Sequence, residues 1–418
     1  MTPRPQPVYR IARAIAAALG LLLAPAHAGS DAPGQARCLQ VPEISRQLAR
    51  ITGLPLRRPV TCRFIDKEQV NAFLKKRLKE ESTPEEIRGE ELTLKKFGLV
   101  PADFDLAAST VDLLTEQAAA FYDYTARKLF LTGSTGGVSE DGVLAHELAH
   151  ALADQNFHLA RYIRRGRQSD DGSPARLSVM EGQATWLMNE YAARGRGQTL
   201  LGNPALAASM AGNADSTAGQ FPVFDNAPLY LRRSLMFPYI EGMAFQSAVL
   251  ERDRLRGFAE VFTDAPVSTQ QILHPEKYFA HVRPTAPALP EPDLPRGYKG
   301  LLRGELGELE HAILIEQYAG KPQAQAIAPH WRGCRFDLIE NRKLGRVVLA
   351  YAVEWDDEAS AAAYFSLYRQ VLARKWKRMT VDAETATSVT GTGDDGRFEL
   401  RRAGAIVTSV EGMEPVAR

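Results

Sequence analysis

One ten-residue stretch constrains this chain more than any other. Residues 143–152 read VLAHELAHAL and contain His146, Glu147 and His150 in the pattern His-Glu-x-x-His. On an α-helix, residues four apart stand one turn apart on the same face. Two imidazoles so placed can hold one metal ion, and the carboxylate beside the first can reach a water on it. The flanks predict a helix: Ser139 is a candidate N-cap, Glu140 and Asp141 load the first turn with negative charge, and no proline follows until Pro174. Leu144, Leu148, Ala151 and Leu152 form an apolar stripe, expected to bury the helix and leave the histidines facing a cleft.

A catalytic metal site needs a third ligand. After Pro174, apolar residues recur at helical spacing (Leu177, Met180, Ala184, Leu187, Met188, Tyr191), which predicts a second helix over residues 175–193 with Glu181 near its middle. The chain between His150 and Glu181 is long enough to finish one helix, turn and run back antiparallel. Two histidines and a carboxylate, with one position left for water, are the donor set of a catalytic zinc site. Asp154 is a rival ligand, but it lies about 12 Å of helical rise beyond His146. It is therefore expected to support or cap, and His158 to be ordinary surface.

The first 28 residues carry Arg4, Arg10 and Arg13, an apolar run over 14–23 and the small-x-small triplet Ala26-His27-Ala28. This pattern predicts a signal peptide cleaved after Ala28, hence a periplasmic or secreted protein. The apolar run is short for a bilayer, and no later run is long enough, so no membrane span is expected in the mature chain. A net charge of +1 over 418 residues gives no pull toward nucleic acid or anionic lipid. The three cysteines contain no Cys-x-x-Cys pair; in an oxidising compartment Cys38 and Cys62 are expected to bridge, leaving Cys334 free.

The remaining pattern divides the chain. Residues 29–100 read as a helical or mixed N-terminal region, with a strand near 59–65 and an amphipathic helix over 67–81; such a region could act as a pro-segment. Residues 101–325 carry the metal motif, a strand pair at 120–124 and 128–132, a glycine-rich loop at 133–137, a polar connection over 161–173 and a glycine- and alanine-rich excursion over 195–228. A helix over 229–250, a proline-rich strap over 284–297 and a helix over 301–318 follow. The strand at 129–132 is either a free edge that accepts an extended peptide or a fully paired sheet strand. Residues 326–418 read as strands at 335–339, 346–355, 397–401 and 405–410 around a helix at 356–374. The fold class is α+β: a largely helical core with a small edge sheet, and a small α+β C-terminal domain. No repeat, phosphate-binding glycine loop or Gly-x-Ser-x-Gly occurs.

His146 to His150 followed by Glu181 resembles the gluzincin, or thermolysin-like, branch of zinc metallopeptidases. Further stretches are similar to a family of uncharacterised exported bacterial metallopeptidases: Phe121-Tyr122-Asp123, residues 146–155, residues 181–185, Phe237-Pro238-Tyr239 with Gly242, residues 271–278, Trp331-Arg332-Gly333 and Trp355-Asp356. Two positions depart from these patterns: Thr185 replaces the acidic residue expected one turn after Glu181, and Cys334 stands where an acidic residue is expected. The resemblance implies a zincin-like core over 101–325, Zn2+ on His146, His150 and Glu181, and hydrolysis of a peptide or protein substrate. Glu147 would then take a proton from water and pass it to the leaving amine. His274 and Tyr239, with Tyr278 behind them, are candidates to stabilise the oxyanion. The alternatives are an inactive zinc scaffold that holds a peptide or protein partner, and hydrolysis of a non-peptide amide or ester.

Overall fold

The computed structural model describes residues 37–117, 120–132, 140–211 and 221–414. The expected signal peptide, the Ser139 cap and the glycine-rich loop at 133–137 lie outside the described residues.

A small sheet stands against the metal helix. It is built from β1 (Thr61–Phe64), β2 (Ala120–Asp123) and β3 (Lys128–Leu131) in the order β1-β3-β2. β3 is the middle strand, parallel to β1 through Cys62↔Leu129 and antiparallel to β2 through Tyr122↔Leu129. The strand at 129–132 is therefore the fully paired one. Both of its edges are used, so it has no free edge to offer a peptide. β1 comes from the N-terminal region, and the Cys38–Cys62 disulfide, with Cα atoms 5.7 Å apart, ties it to the segment leading into the helix Val41–Thr52. Closing that loop contributes on the order of 3 kcal/mol. Val41, Ile44, Leu48 and Ile51 of this helix share one apolar cluster with Val143, Leu144 and Leu148. Residues 37–64 are thus built into the same sheet and core as the metal motif. Cys334 is free and buried.

The metal helix runs Glu140–Phe157, and a second short helix, Leu159–Gly166, follows at once. Much of the polar connection expected over 161–173 is therefore helical. Its charges are spaced so that Leu159, Tyr162 and Ile163 still form a buried face. The helix Gly172–Arg194 carries Glu181 and packs against the helix Leu229–Asp253. These two meet at Gly182 and Gly242. A Cβ added at either glycine would run into the other helix's backbone, so the absence of side chains lets the axes approach this closely.

The C-terminal sheet has seven antiparallel strands in the order β4-β5-β6-β10-β9-β8-β7: β4 (Lys299–Gly304), β5 (Trp331–Asn341), β6 (Arg346–Trp355), β7 (Thr380–Glu384), β8 (Ser388–Gly393), β9 (Gly396–Ala403) and β10 (Ile406–Met413). The helix Glu358–Lys375 buries Tyr364, Phe365 and Tyr368 in the same core as Phe336, Leu349 and Tyr351. The helix expected over 301–318 is in fact β4 followed by the helix Glu308–Ala319. Gly304 and Gly307 separate two apolar clusters whose sum imitates one helical stripe. Since β4 pairs with β5, the α+β unit begins at Lys299 rather than at 326. β7 and β8 went unread because β7 is exposed on both faces and β8 (SVTGTG) lacks apolar alternation.

Candidate metal centre

The metal helix is buried on every side around its motif. His146 and Glu147 are fully buried and His150 is 4% exposed, as are Leu144, Ala145 and Leu148 to within a few per cent. The expected open His face is therefore covered, and the helix Gly172–Arg194 covers it. Glu181 lies in the middle of that helix, and its carboxylate meets both imidazoles. Glu181 Oε2 is 3.1 Å from His146 Nε2 and 3.3 Å from His150 Nε2, and the two Nε2 atoms are 3.1 Å apart. All three side chains are buried and together could hold a metal ion. Glu181, the carboxylate read from helical periodicity, is the one that meets both histidines.

Protons alone cannot satisfy this triangle. A neutral imidazole offers one N–H, and a carboxylate offers none. Yet three mutual contacts converge on one point, while His146 Nδ1 and Glu181 Oε1 are buried with no partner among the described residues. A four-coordinate ion with legs of about 2.0–2.1 Å places its ligand atoms about 3.3 Å apart. The observed separations agree with that to within a few tenths of an ångström. The donor set and spacing fit a small divalent cation.

The electrostatics point the same way. Burial pushes the His146 imidazole below its ordinary pKa against the pull of Glu181, which keeps it neutral and able to ligate. Burial would raise Glu181, but the two histidines outweigh it and hold the carboxylate below its usual range. Glu147 behaves in the opposite way: burial first, and the nearby Glu181 charge second, push it well above the usual carboxylate range. Its Oε2 accepts the backbone N–H of Tyr122 at 2.7 Å, and its Oε1 has no partner among the described residues. The two carboxylates of this cluster are thus pushed in opposite directions.

Tyr239 reaches this centre, its ring stacked at 6.0 Å from the His146 ring. It also lines a narrow apolar cavity with Glu181, Leu177, Leu231 and Leu235. His274 Nε2 is 2.8 Å from Glu308 Oε1, and that bond holds the imidazole above its ordinary value. The charge it presents is felt by Glu241, two residues beyond Tyr239 and so about 200° round the helix. The structure brings Tyr239 to the histidines and turns His274 toward the C-terminal unit. Tyr278 donates to Asp264 O at 2.7 Å. His158 is exposed, in a left-handed turn between two helices. Asp154 supports and caps as expected: Oδ1 accepts from Leu159 N at 3.0 Å, and Oδ2 accepts the Tyr122 hydroxyl at 3.0 Å.

Residues 299–417 match the family model described as a domain of unknown function, DUF8575. No curated protein and no solved structure matches the chain. The DUF8575 stretch begins where β4 begins, which agrees with the structural boundary at Lys299. It supplies none of the three candidate ligands. Its contacts with the helical part include Glu308 with His274, Glu305 with Ser169 and Glu316 with Arg233.

Sequence reasoning missed Tyr122 and Arg58 as members of the site. Arg58 extends a guanidinium to within 3.7 Å of Asp154 Oδ2. The signals for Tyr122 were its place on a strand just before the metal helix and in the family-like stretch Phe121-Tyr122-Asp123, neither of which gave it a role. Nothing in the order of residues indicates Arg58.

Proposed function

We propose that this chain is an exported zinc metallopeptidase with a zincin-like core. The observation that carries this reading is the buried triangle of His146, His150 and Glu181 with Glu147 beside it. His146 Nε2, His150 Nε2 and Glu181 Oε2 are the atoms that would hold the ion. Zinc bound there would supply a Lewis acid that makes water nucleophilic near neutral pH and polarises a scissile carbonyl.

The chain's own groups supply the rest. Glu147 would accept a proton from water and return it to the leaving amine through Oε1, which has no partner among the described residues. The Tyr122 N–H fixes the other oxygen, so the carboxylate keeps one orientation through the cycle. Tyr239, whose ring stacks on His146, is the candidate placed for the developing oxyanion. Export is supported by the leader-like first 28 residues and by the Cys38–Cys62 bridge, a kind of bond that an oxidising compartment favours.

The test pairs metal content with turnover. The purified mature chain should contain about one zinc and hydrolyse casein, while Glu147→Gln should keep its zinc and lose hydrolysis. A chain that binds zinc and turns over neither casein nor short peptides is the scaffold instead. One that cleaves only acyl amides or esters is a hydrolase of another substrate class.

A further inference from the structure

Glu147 and Asp154 are seven residues apart on one helix, so they project from nearly the same face about 10 Å apart along the axis. Tyr122 spans the gap between them. Its backbone N–H donates to Glu147 Oε2 at 2.7 Å and its hydroxyl donates to Asp154 Oδ2 at 3.0 Å; the residue is only 3% exposed. Asp154 is itself immobilised. Its Oδ1 takes the Leu159 N–H, and the Arg58 guanidinium lies 3.7 Å from Oδ2. The adjacent Gln155 accepts the N–H groups of Arg57 and Arg58 at 2.8 and 3.0 Å and donates to Arg58 O at 3.0 Å, which fixes the segment that carries Arg58.

We propose that Asp154 is a positioning residue for Glu147 and acts through Tyr122; this rests on the metallopeptidase reading of the same centre. β2 is four residues long and pairs with β3 on one side only. Its ladder bonds hold it to β3 but do not fix its slide and roll against the metal helix. Ala120 and Tyr122 also share apolar clusters with that helix, but such packing is non-directional, and a single hydrogen bond, at Glu147, leaves a pivot. The second, two turns further on at Asp154, removes it. A rigid helix and a strand pinned at two points then hold the Tyr122 N–H on Glu147 Oε2 and aim Oε1. Loss of the distant contact frees the near one, and a carboxylate displaced by about an ångström can lose up to a hundredfold in rate.

The experiment uses the full mature chain loaded with zinc, as wild type, Tyr122→Phe, Asp154→Asn, Asp154→Ala and the Tyr122→Phe/Asp154→Ala double variant. Tyr122→Phe and Asp154→Ala should lower kcat on casein by about 10- to 100-fold with KM and zinc content unchanged. Asp154→Asn keeps an acceptor for the hydroxyl and should recover most of that loss. The double variant should be no slower than the worse single one, because both remove the same bond. Amide hydrogen exchange gives a readout that needs no turnover: the amide at 122 should exchange at least about 10-fold faster in Tyr122→Phe, while that of Leu129 in β3 keeps its rate. Wild-type kcat in Tyr122→Phe, or additive losses in the double variant, overturns the proposal. If wild type turns over no substrate, the peptidase reading fails on its own. An unchanged rate at the 122 amide then overturns the positioning role, and a faster one sustains it.

Discussion

Two of the described histidines are completely buried, and their surroundings differ in kind. His311, in the helix Glu308–Ala319, is satisfied on both sides by protein. Its Nδ1 donates to Gly307 O at 2.8 Å, so its Nε2 accepts the Tyr351 hydroxyl at 2.8 Å, and Tyr351 in turn bonds the Tyr364 hydroxyl at 2.8 Å. Each donor in this chain has an acceptor. His146 is buried as deeply, but its Nδ1 has no partner among the described residues and its Nε2 shares one point with another imidazole and a carboxylate. Burying polar groups unpaired costs on the order of 1–3 kcal/mol each. A closed chain such as that of His311 is the core of a stable sheet unit. The arrangement around His146 instead leaves three donor atoms facing one point that a cation could occupy. Burial alone does not distinguish a structural histidine from a ligating one; the count of satisfied nitrogens does.

The sharpest way to break this contrast is at Glu147. Glu147→Gln keeps the size and one acceptor but cannot carry the proton, and turnover of casein should fall by about 10²–10⁴-fold with zinc content unchanged. An equal rate in the variant would reduce the centre to a metal-binding scaffold.

The next effect belongs to His311. Burial pushes its imidazole down to about 4, so it is neutral when folded and free to take a proton when unfolded. Between the unfolded value near 6.5 and the folded value, the unfolded state binds more protons, so stability falls as pH falls through that window. The full loss is on the order of 3 kcal/mol. His146 titrates with the same sign, so the measurement is a difference: urea unfolding of wild type and His311→Leu from pH 7.5 to 4.5. The variant should show the shallower dependence, and identical slopes would mean that His311 is not held neutral.

Metal should separate the two regions directly. At zinc near 100 times its Kd, wild type should be stabilised by about 2.7 kcal/mol over the chelated chain. His150→Ala should lose both this increment and bound zinc, whereas His311→Leu should keep both. Differential scanning calorimetry with and without a chelator, alongside atomic absorption, checks each outcome.

The smallest effect tests the scaffold that brings Glu181 to the histidines. Gly182→Ala places a methyl against the Gly242 backbone, so the helices must part. That should cost about 1–3 kcal/mol in denaturant unfolding and weaken zinc binding, because the neighbouring Glu181 moves with its helix. The corresponding change at exposed Gly345, where no atom lies within 4 Å of an added Cβ, should leave zinc binding untouched.

Much of the centre was legible beforehand. The spacing of His146 and His150 requires only helical geometry, and periodicity placed Glu181 in a second helix before any contact was known. The Cys38–Cys62 pairing followed from short separation along the chain. Local patterns have local causes, and they survive folding because the helix period and the loop length are properties of the chain alone.

What the order of residues left open depends on pairs that are distant in sequence. Whether the strand at 129–132 had a free edge turned on β1, some 65 residues earlier, arriving on its far side. Where the C-terminal unit begins turned on β4 pairing with β5 across two intervening helices. That Arg58 would brace Asp154, that Gly182 would meet Gly242, and that Tyr239 rather than His274 would lie beside His146 are outcomes of packing. The motif determines which atoms can ligate, because ligand chemistry and helical spacing reside in the side chains themselves. Which atoms converge, and which are left unpaired when they do, is decided only when the layers close, because burial and satisfaction are properties of neighbours that the chain brings together last.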